Sequence, residues 1–148
     1  MQAFSHDKSS AQVFRVLLVE DDEAVRNELV EGLSLRGFDV RAATGPTEGL
    51  VQLRGDPCIT VLVTDVRLPD GDGITLAEQV LREFDDARAV EVIILTGHAT
   101  LGTVAEADRL RISALLRKPT RLATLVAAIR KAHGSARQRR TLSAPVVA

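Results

Sequence analysis

Tryptophan and tyrosine are absent from the 148-residue chain, and phenylalanine occurs only four times. So sparse an aromatic set excludes a surface that stacks several bases, the platform of many single-strand binders. Cysteine occurs once, at Cys58. A single thiol excludes an intramolecular disulfide and a cysteine-cluster zinc site, and suits a reducing compartment. No apolar run approaches the ~18 residues of a membrane span. The opening segment MQAFSHDKSSAQ is polar and lacks the apolar stretch of a secretory signal. The expected location is the cytoplasm. Acids, finally, are missing from one end: residues 130–148 carry five bases and no acid. Residues 1–129 carry 14 bases against 20 acids, so a body of net charge −6 bears a tail of +5. An acidic body is not a general nucleic-acid surface, and direct DNA binding is not expected.

What is present is ordinary for a soluble globular protein, with 45% hydrophobic and 26% charged residues. The length fits one domain with a sizeable core. Short apolar runs alternate with longer mixed stretches. The runs are Val16–Val19, Ile59–Val63, Val92–Leu95 and Ala114–Leu116. Most are rich in β-branched residues and none alternates with polar ones, the pattern of parallel strands covered on both faces. Phe38–Ala42 alternates and suits a strand nearer an edge. Between them, residues 23–36, 46–54, 73–84, 100–110 and 120–132 read as helices. Val25, Leu29 and Leu33 fall near a 3.6 repeat, with Gly37 as a stop. Pro46 suits a first turn. Five strands and five helices in strict alternation, joined by right-handed crossovers, make a doubly wound α/β fold. After His133 the periodicity fades. The division expected is a flexible leader over 1–12, a domain over 13–133 and a flexible basic tail over 134–148, with no length left for an output module.

In open α/β sheets, ligands sit beyond the carboxyl ends of the strands. The first run is followed by Glu20, Asp21 and Asp22, and the Ile59–Val63 run by Thr64 and Asp65. Thr96 and Gly97 follow the next run; Arg117, Lys118 and Pro119 follow the last. Singly, such residues are helix caps or solvated side chains, and Asp22 is well placed to cap the helix at Glu23. After four different strands, acids, a hydroxyl and an ammonium converge on one rim, which capping alone does not require. Crowded carboxylates call for a cation, and Mg²⁺ takes one or two carboxylates plus a phosphate. One carboxylate can then act as nucleophile toward a phosphoryl group, with Lys118 and Thr96 meeting the phosphoryl oxygens. The acid at the centre of the rim is Asp65.

These residues resemble the receiver (REC) domain of two-component response regulators. The resemblance is carried by Val19-Glu20-Asp21-Asp22, Val63-Thr64-Asp65 through Gly73, Leu95-Thr96-Gly97-His98 and Arg117-Lys118-Pro119, in order, across roughly residues 13–133. It implies a flavodoxin-like (β/α)5 fold with strand order 2-1-3-4-5. It implies Asp65 as phosphoacceptor, charged by a histidine kinase or histidine phosphotransfer protein. Glu20 and Asp21 are then the acidic pair that binds Mg²⁺ or Mn²⁺, with Asp65 and the Arg67 backbone carbonyl as further contacts and Asp22 a candidate to share the role. Thr96 is the switch hydroxyl, and Lys118 pairs with the phosphate. Pro119 is a candidate for a cis bond. The output is a change in the helix 4/strand 5/helix 5 surface, read by a downstream effector protein and also available for a homodimer.

The chain departs from the family at several points. Leu115 stands three residues before Lys118, where an aromatic switch residue is usual. Gly71 stands where Met is common, and Arg109–Ser113 replaces a Gly/Ala-rich approach to the last strand. Arg67 and His98 lie beside the phosphoryl site, where they can gate water. A degenerate receiver that only binds partners is one alternative, though the acid, Thr and Lys set is intact. A haloacid-dehalogenase-like phosphatase needs a second acid two residues after the nucleophile, where Arg67 stands. A nucleotide- or flavin-binding module wants a Gly- or Ser/Thr-rich loop where Glu20–Glu23 stand.

Overall fold

Five apolar segments pair in parallel in a computed structural model that describes residues 14–98 and 100–145. The strands are β1 (Arg15–Val19), β2 (Asp39–Ala43), β3 (Ile59–Asp65), β4 (Glu91–Thr96) and β5 (Ala114–Arg117). Their order across the sheet is β2-β1-β3-β4-β5, as the resemblance implies. The alternating segment, β2, is at an edge as expected. The continuous apolar runs of β1, β3 and β4 are central, where both faces are covered. The helices are α1 (Glu23–Leu35), α2 (Pro46–Gly55), α3 (Gly73–Glu83), α4 (Leu101–Leu110) and α5 (Leu122–Leu142).

Alternate residues of each strand feed two cores. Leu17, Leu62, Val92 and Ile94 face Leu50 and Leu53 of α2 and Leu76, Ala77 and Val80 of α3. Val16, Leu18, Val61, Val63 and Ile93 face Leu33 of α1 and Leu125, Val126 and Ile129 of α5. At ~1.5–3 kcal/mol for each fully buried aliphatic side chain, these layers supply the main driving force. Helix starts follow local chemistry. The Asp22 carboxylate accepts from the Val25 N–H at 3.0 Å, that of Asp72 from Thr75 N–H at 2.7 Å, and Pro46 opens α2. Gly37, just past α1, has φ +92, a left-handed turn that glycine adopts without Cβ strain.

Two features depart from the sequence reading. Arg67–Leu68 and Gly71–Asp72 form a two-residue antiparallel ladder between β3 and α3. The final helix does not end near residue 132: α5 continues to Leu142, which corrects the expected tail over most of its length. Ala132 and Ala136 are fully buried beneath its added turns. Arg139 bonds Asp86 at 3.0 Å and Glu91 at 2.6 Å. Arg140 donates to the carbonyls of Ala89, Pro57 and Ile59 at 2.8–3.1 Å. The apolar stripe here is only alanine-wide, so periodicity misses it, and the guanidinium groups provide the attachment. Leader residues 1–12 and the last three residues of the tail lie outside the described residues.

Nearby, His133 stacks on Phe14, with ring centroids 3.4 Å apart, and its Nδ1 lies 3.0 Å from the Thr60 hydroxyl. Burial, helped by the charges of Arg137 and Arg140, pushes its pKa down to about 4. The unfolded chain therefore takes up this proton first as pH falls. Stability declines from about pH 6.5 down to about pH 4, and this group adds nothing further below that. His133→Gln should remove ~1–2 kcal/mol of that decline, allowing for the ring's partial exposure, as measured by urea unfolding at pH 7 and pH 4.5. Arg140→Ala leaves the buried Ala89 carbonyl without its side-chain donor, while Arg88 still meets that of Ile59, and should cost about 1–3 kcal/mol in the same assay at pH 7.

Candidate functional site

Each strand of the central trio ends on a residue that reaches the same rim. Glu20 follows β1 directly and its N–H still pairs with the Ala43 carbonyl of β2 at 3.0 Å, so its backbone is fixed by the sheet. Its side chain is buried, with 1% of the residue exposed. One carboxylate oxygen accepts from the Asp22 N–H at 3.1 Å and the other from Lys118 Nζ at 3.0 Å. Arg26 of α1 donates to the Glu20 carbonyl at 3.0 Å, tying the loop back to the helix. Asp21 is exposed, and Asp22 is engaged as the α1 cap.

Asp65 is the last residue of β3. Its Oδ2 lies 2.9 Å from Lys118 Nζ, so a single ammonium bridges the carboxylates of Glu20 and Asp65. Burial alone lowers the Lys118 pKa, but its hydrogen bonds to Asp65 and Glu20 outweigh this and raise it. The lysine is therefore a fixed cation at neutral pH. Its backbone is held by the bond from its N–H to the Thr96 carbonyl at 2.8 Å, and the Lys118–Pro119 peptide is cis. Ligand oxygens of Glu20, Asp21 and Asp65 fall within 4.8 Å of one another, a hard-oxygen cluster of the kind that suits a divalent cation.

Asp65 lies between two cavities. The first, about 430 Å³, is lined on the acid side by Glu20, Asp21, Asp22, Val25, Arg67 and Lys118 among others. The second, about 320 Å³, is bounded by Thr96, Gly97, His98, Thr100, Thr103, Arg67 and Lys118. Thr96 is 2% exposed and its hydroxyl accepts from the His98 N–H at 3.2 Å. Leu115 lies apart: it is half-buried on β5, packed against the α2–α3 core, and lines neither cavity. The structure thus gathers Glu20, Asp21, Asp65, Arg67, Thr96 and Lys118 at one place, and leaves Leu115 half-buried against the α2–α3 core.

A model of the response regulator receiver domain matches residues 16–130. The chain belongs to the receiver family. The response regulator receiver protein CpdR of Brucella abortus is 32% identical over 117 residues, covering 79% of this chain and 94% of CpdR. The two-component response regulator PprB of Pseudomonas aeruginosa is 32% identical over 113 residues, or 76% of this chain. The chain spans only 41% of PprB and 57% of the acid tolerance regulatory protein ActR of Rhizobium meliloti. A receiver domain structure from Clostridium thermocellum superposes with a TM-score of 0.78 at 26% identity, covering 85% of this chain and 98% of that one. As a receiver, the chain is a signalling phosphoacceptor domain rather than an enzyme, and receivers generally partner with histidine kinases. The carboxylate cluster is typical of the Mg²⁺ site of this family. The phosphatase and nucleotide-module alternatives give way to this membership. Among the described residues, no helix is long and apolar enough to cross a membrane.

Thr64 and Gly73 are parts of the site that the strand-end reasoning assigned no role. The N–H of Gly73 donates to the Val66 carbonyl at 2.7 Å, and a Cβ at Gly73 would stand 2.1 Å from the Asp65 carbonyl oxygen. Only glycine allows that approach. The signal available was Gly73 itself, at the start of a helix where glycine is otherwise unfavourable. Gly73→Ala should cost about 2–4 kcal/mol in urea unfolding, because the clash is with backbone that cannot step aside.

Proposed function

We propose that the protein receives a phosphoryl group on Asp65 from a histidine kinase or histidine phosphotransfer protein and passes the signal on as a change of surface. The observation that carries this is the placement of the Asp65 carboxylate, bonded to the Lys118 ammonium and clustered with Glu20 and Asp21, with an open cavity on either side. In the transfer, an Asp65 oxygen bonds to phosphorus as the bond from phosphorus to the donor's imidazole nitrogen breaks. The released electron pair stays on that nitrogen, which takes up a proton.

The residues present fit a hard divalent ion. Glu20, Asp21, Asp65 and the Arg67 backbone carbonyl would hold Mg²⁺, or Mn²⁺ in its place. Bound there, the ion supplies positive charge that relieves the crowded carboxylates and balances the phosphoryl oxygens. Lys118 leaves its ion pair with Asp65 to meet a phosphoryl oxygen, and stays in reach because its backbone is held by Thr96. The Thr96 hydroxyl, now an acceptor for His98, turns to donate to another phosphoryl oxygen. That exchange releases the loop between β4 and α4 and alters the α4/β5/α5 face that a downstream protein reads. With an aliphatic Leu115 half-buried against the α2–α3 core, the loop backbone rather than an aromatic rotamer transmits the change. The same face serves a homodimer if one forms, and the setting is the cytoplasm.

Incubation with phosphoramidate and Mg²⁺ should add one phosphate per chain, read by intact-protein mass. EDTA should abolish the addition, and Asp65→Asn should show none. Undiminished labelling of Asp65→Asn would overturn the assignment.

A further inference from the structure

β3 carries a hydroxyl where its pattern asks for an aliphatic side chain. Thr64 follows Leu62 on the face that packs against α2 and α3, and it is fully buried. A hydroxyl in that position is unfavourable unless it is bonded. Its Oγ1 donates to the carbonyl oxygen of Asp65 at 2.9 Å. This bond is made to the backbone of the very residue proposed to react.

The peptide plane between Asp65 and Val66 is held at both ends. The Asp65 carbonyl accepts from Thr64, and the Val66 N–H donates to the Leu95 carbonyl at 3.1 Å. The bare α-carbon of Gly73 closes over the same carbonyl, so near that an added Cβ would meet it at 2.1 Å, and only 3.2 Å from the Thr64 hydroxyl. The next carbonyl, of Val66, accepts from the Gly73 N–H at 2.7 Å. At the end of a strand, where the ladder stops, this plane would otherwise be free to rock. Rocking it turns the Asp65 side chain relative to Lys118 and the Glu20–Asp21 pair. By contrast, the carboxylate's own bond to the Arg67 N–H is long, at 3.4 Å, and holds it only weakly.

We propose that Thr64 is a positioning residue for phosphoryl transfer: its hydroxyl, with Gly73 as the opposing wall, fixes the Asp65–Val66 peptide plane and so aims the Asp65 carboxylate. The proposal rests on Asp65 being the phosphoacceptor. Misplacement of a reacting group by about 1 Å can slow a reaction by 10²-fold, and partial release of one peptide plane amounts to a fraction of that.

The test is Thr64→Val, which keeps the branched shape and removes only the hydroxyl, with Thr64→Ser as the rescue. Initial labelling rates are measured by intact mass over a range of phosphoramidate concentrations at saturating Mg²⁺. Thermal midpoints and amide exchange at Val66 and Arg67 are recorded on the unphosphorylated protein. The expected result is a roughly tenfold lower maximal rate for Thr64→Val, with little change in the phosphoramidate concentration giving half that rate. Exchange at Val66 should be faster, and Thr64→Ser should recover most of the rate. A wild-type maximal rate in Thr64→Val, or a Thr64→Ser as slow as the valine variant, overturns the proposal. So does a rate loss that merely tracks the folded fraction. Asp65→Asn is run alongside: if it labels like wild type, the phosphoacceptor assignment fails and this proposal falls with it. If it is silent while Thr64→Val is fully active, only the positioning role fails.

Discussion

One ammonium group organises the site. Lys118 sits 3.0 Å from Glu20 and 2.9 Å from Asp65, joining the ends of β1, β3 and β5 across the top of the sheet. Without it, a buried glutamate and a half-covered aspartate would face each other with their charges unbalanced, which is costly away from water. The sheet order makes the arrangement possible, because β3 lies between β1 and the β4–β5 pair, so that Asp65 is central and the others flank it. The rest of the local structure serves the same end. Arg26 draws the Glu20 loop back to α1, Asp22 is occupied as a cap, and the Thr96 carbonyl fixes the lysine's backbone.

The cation sits in a charge pattern that permits exchange. An ammonium on a flexible stem can leave one carboxylate for a phosphoryl oxygen without crossing a barrier of packing. Thr96, by contrast, is buried and bonded to the loop it precedes. For the lysine, then, changing partner moves little else; for the threonine it must move the loop. Under the proposed function, this asymmetry would let one chemical event be accommodated on the acid side and transmitted on the other.

Much of this was legible in the sequence, for a physical reason. Parallel strands buried on both faces are written as continuous apolar runs, and whatever follows each run must emerge on one rim. Glu20, Asp21, Asp65, Thr96 and Lys118 could be placed together on that ground alone. Thr64 stood in view as the residue after its run, but position alone says nothing of where its hydroxyl points, and β3 in fact runs through it to Asp65. Arg139 and Arg140 were hidden differently. Their charges suggest a solvated tail, yet Arg140 bonds the Pro57 carbonyl 83 residues away, and only folding brings the turn before β3 beside it. Leu115 was given its place by family pattern, and its surroundings are set instead by the α2–α3 core.

The unbroken run of α5 to Leu142 has a mechanical meaning. Its last turns are bolted to the end of the sheet opposite the carboxylate rim, where β3 and β4 begin, through Asp86, Glu91 and three backbone carbonyls. A polypeptide joined in frame to that helix would be carried on a stiff lever with a set azimuth, rather than on a string. Each residue inserted at the join would swing the cargo by about 100° and advance it by about 1.5 Å, so helical phase, and not tether length, would govern what the cargo can reach.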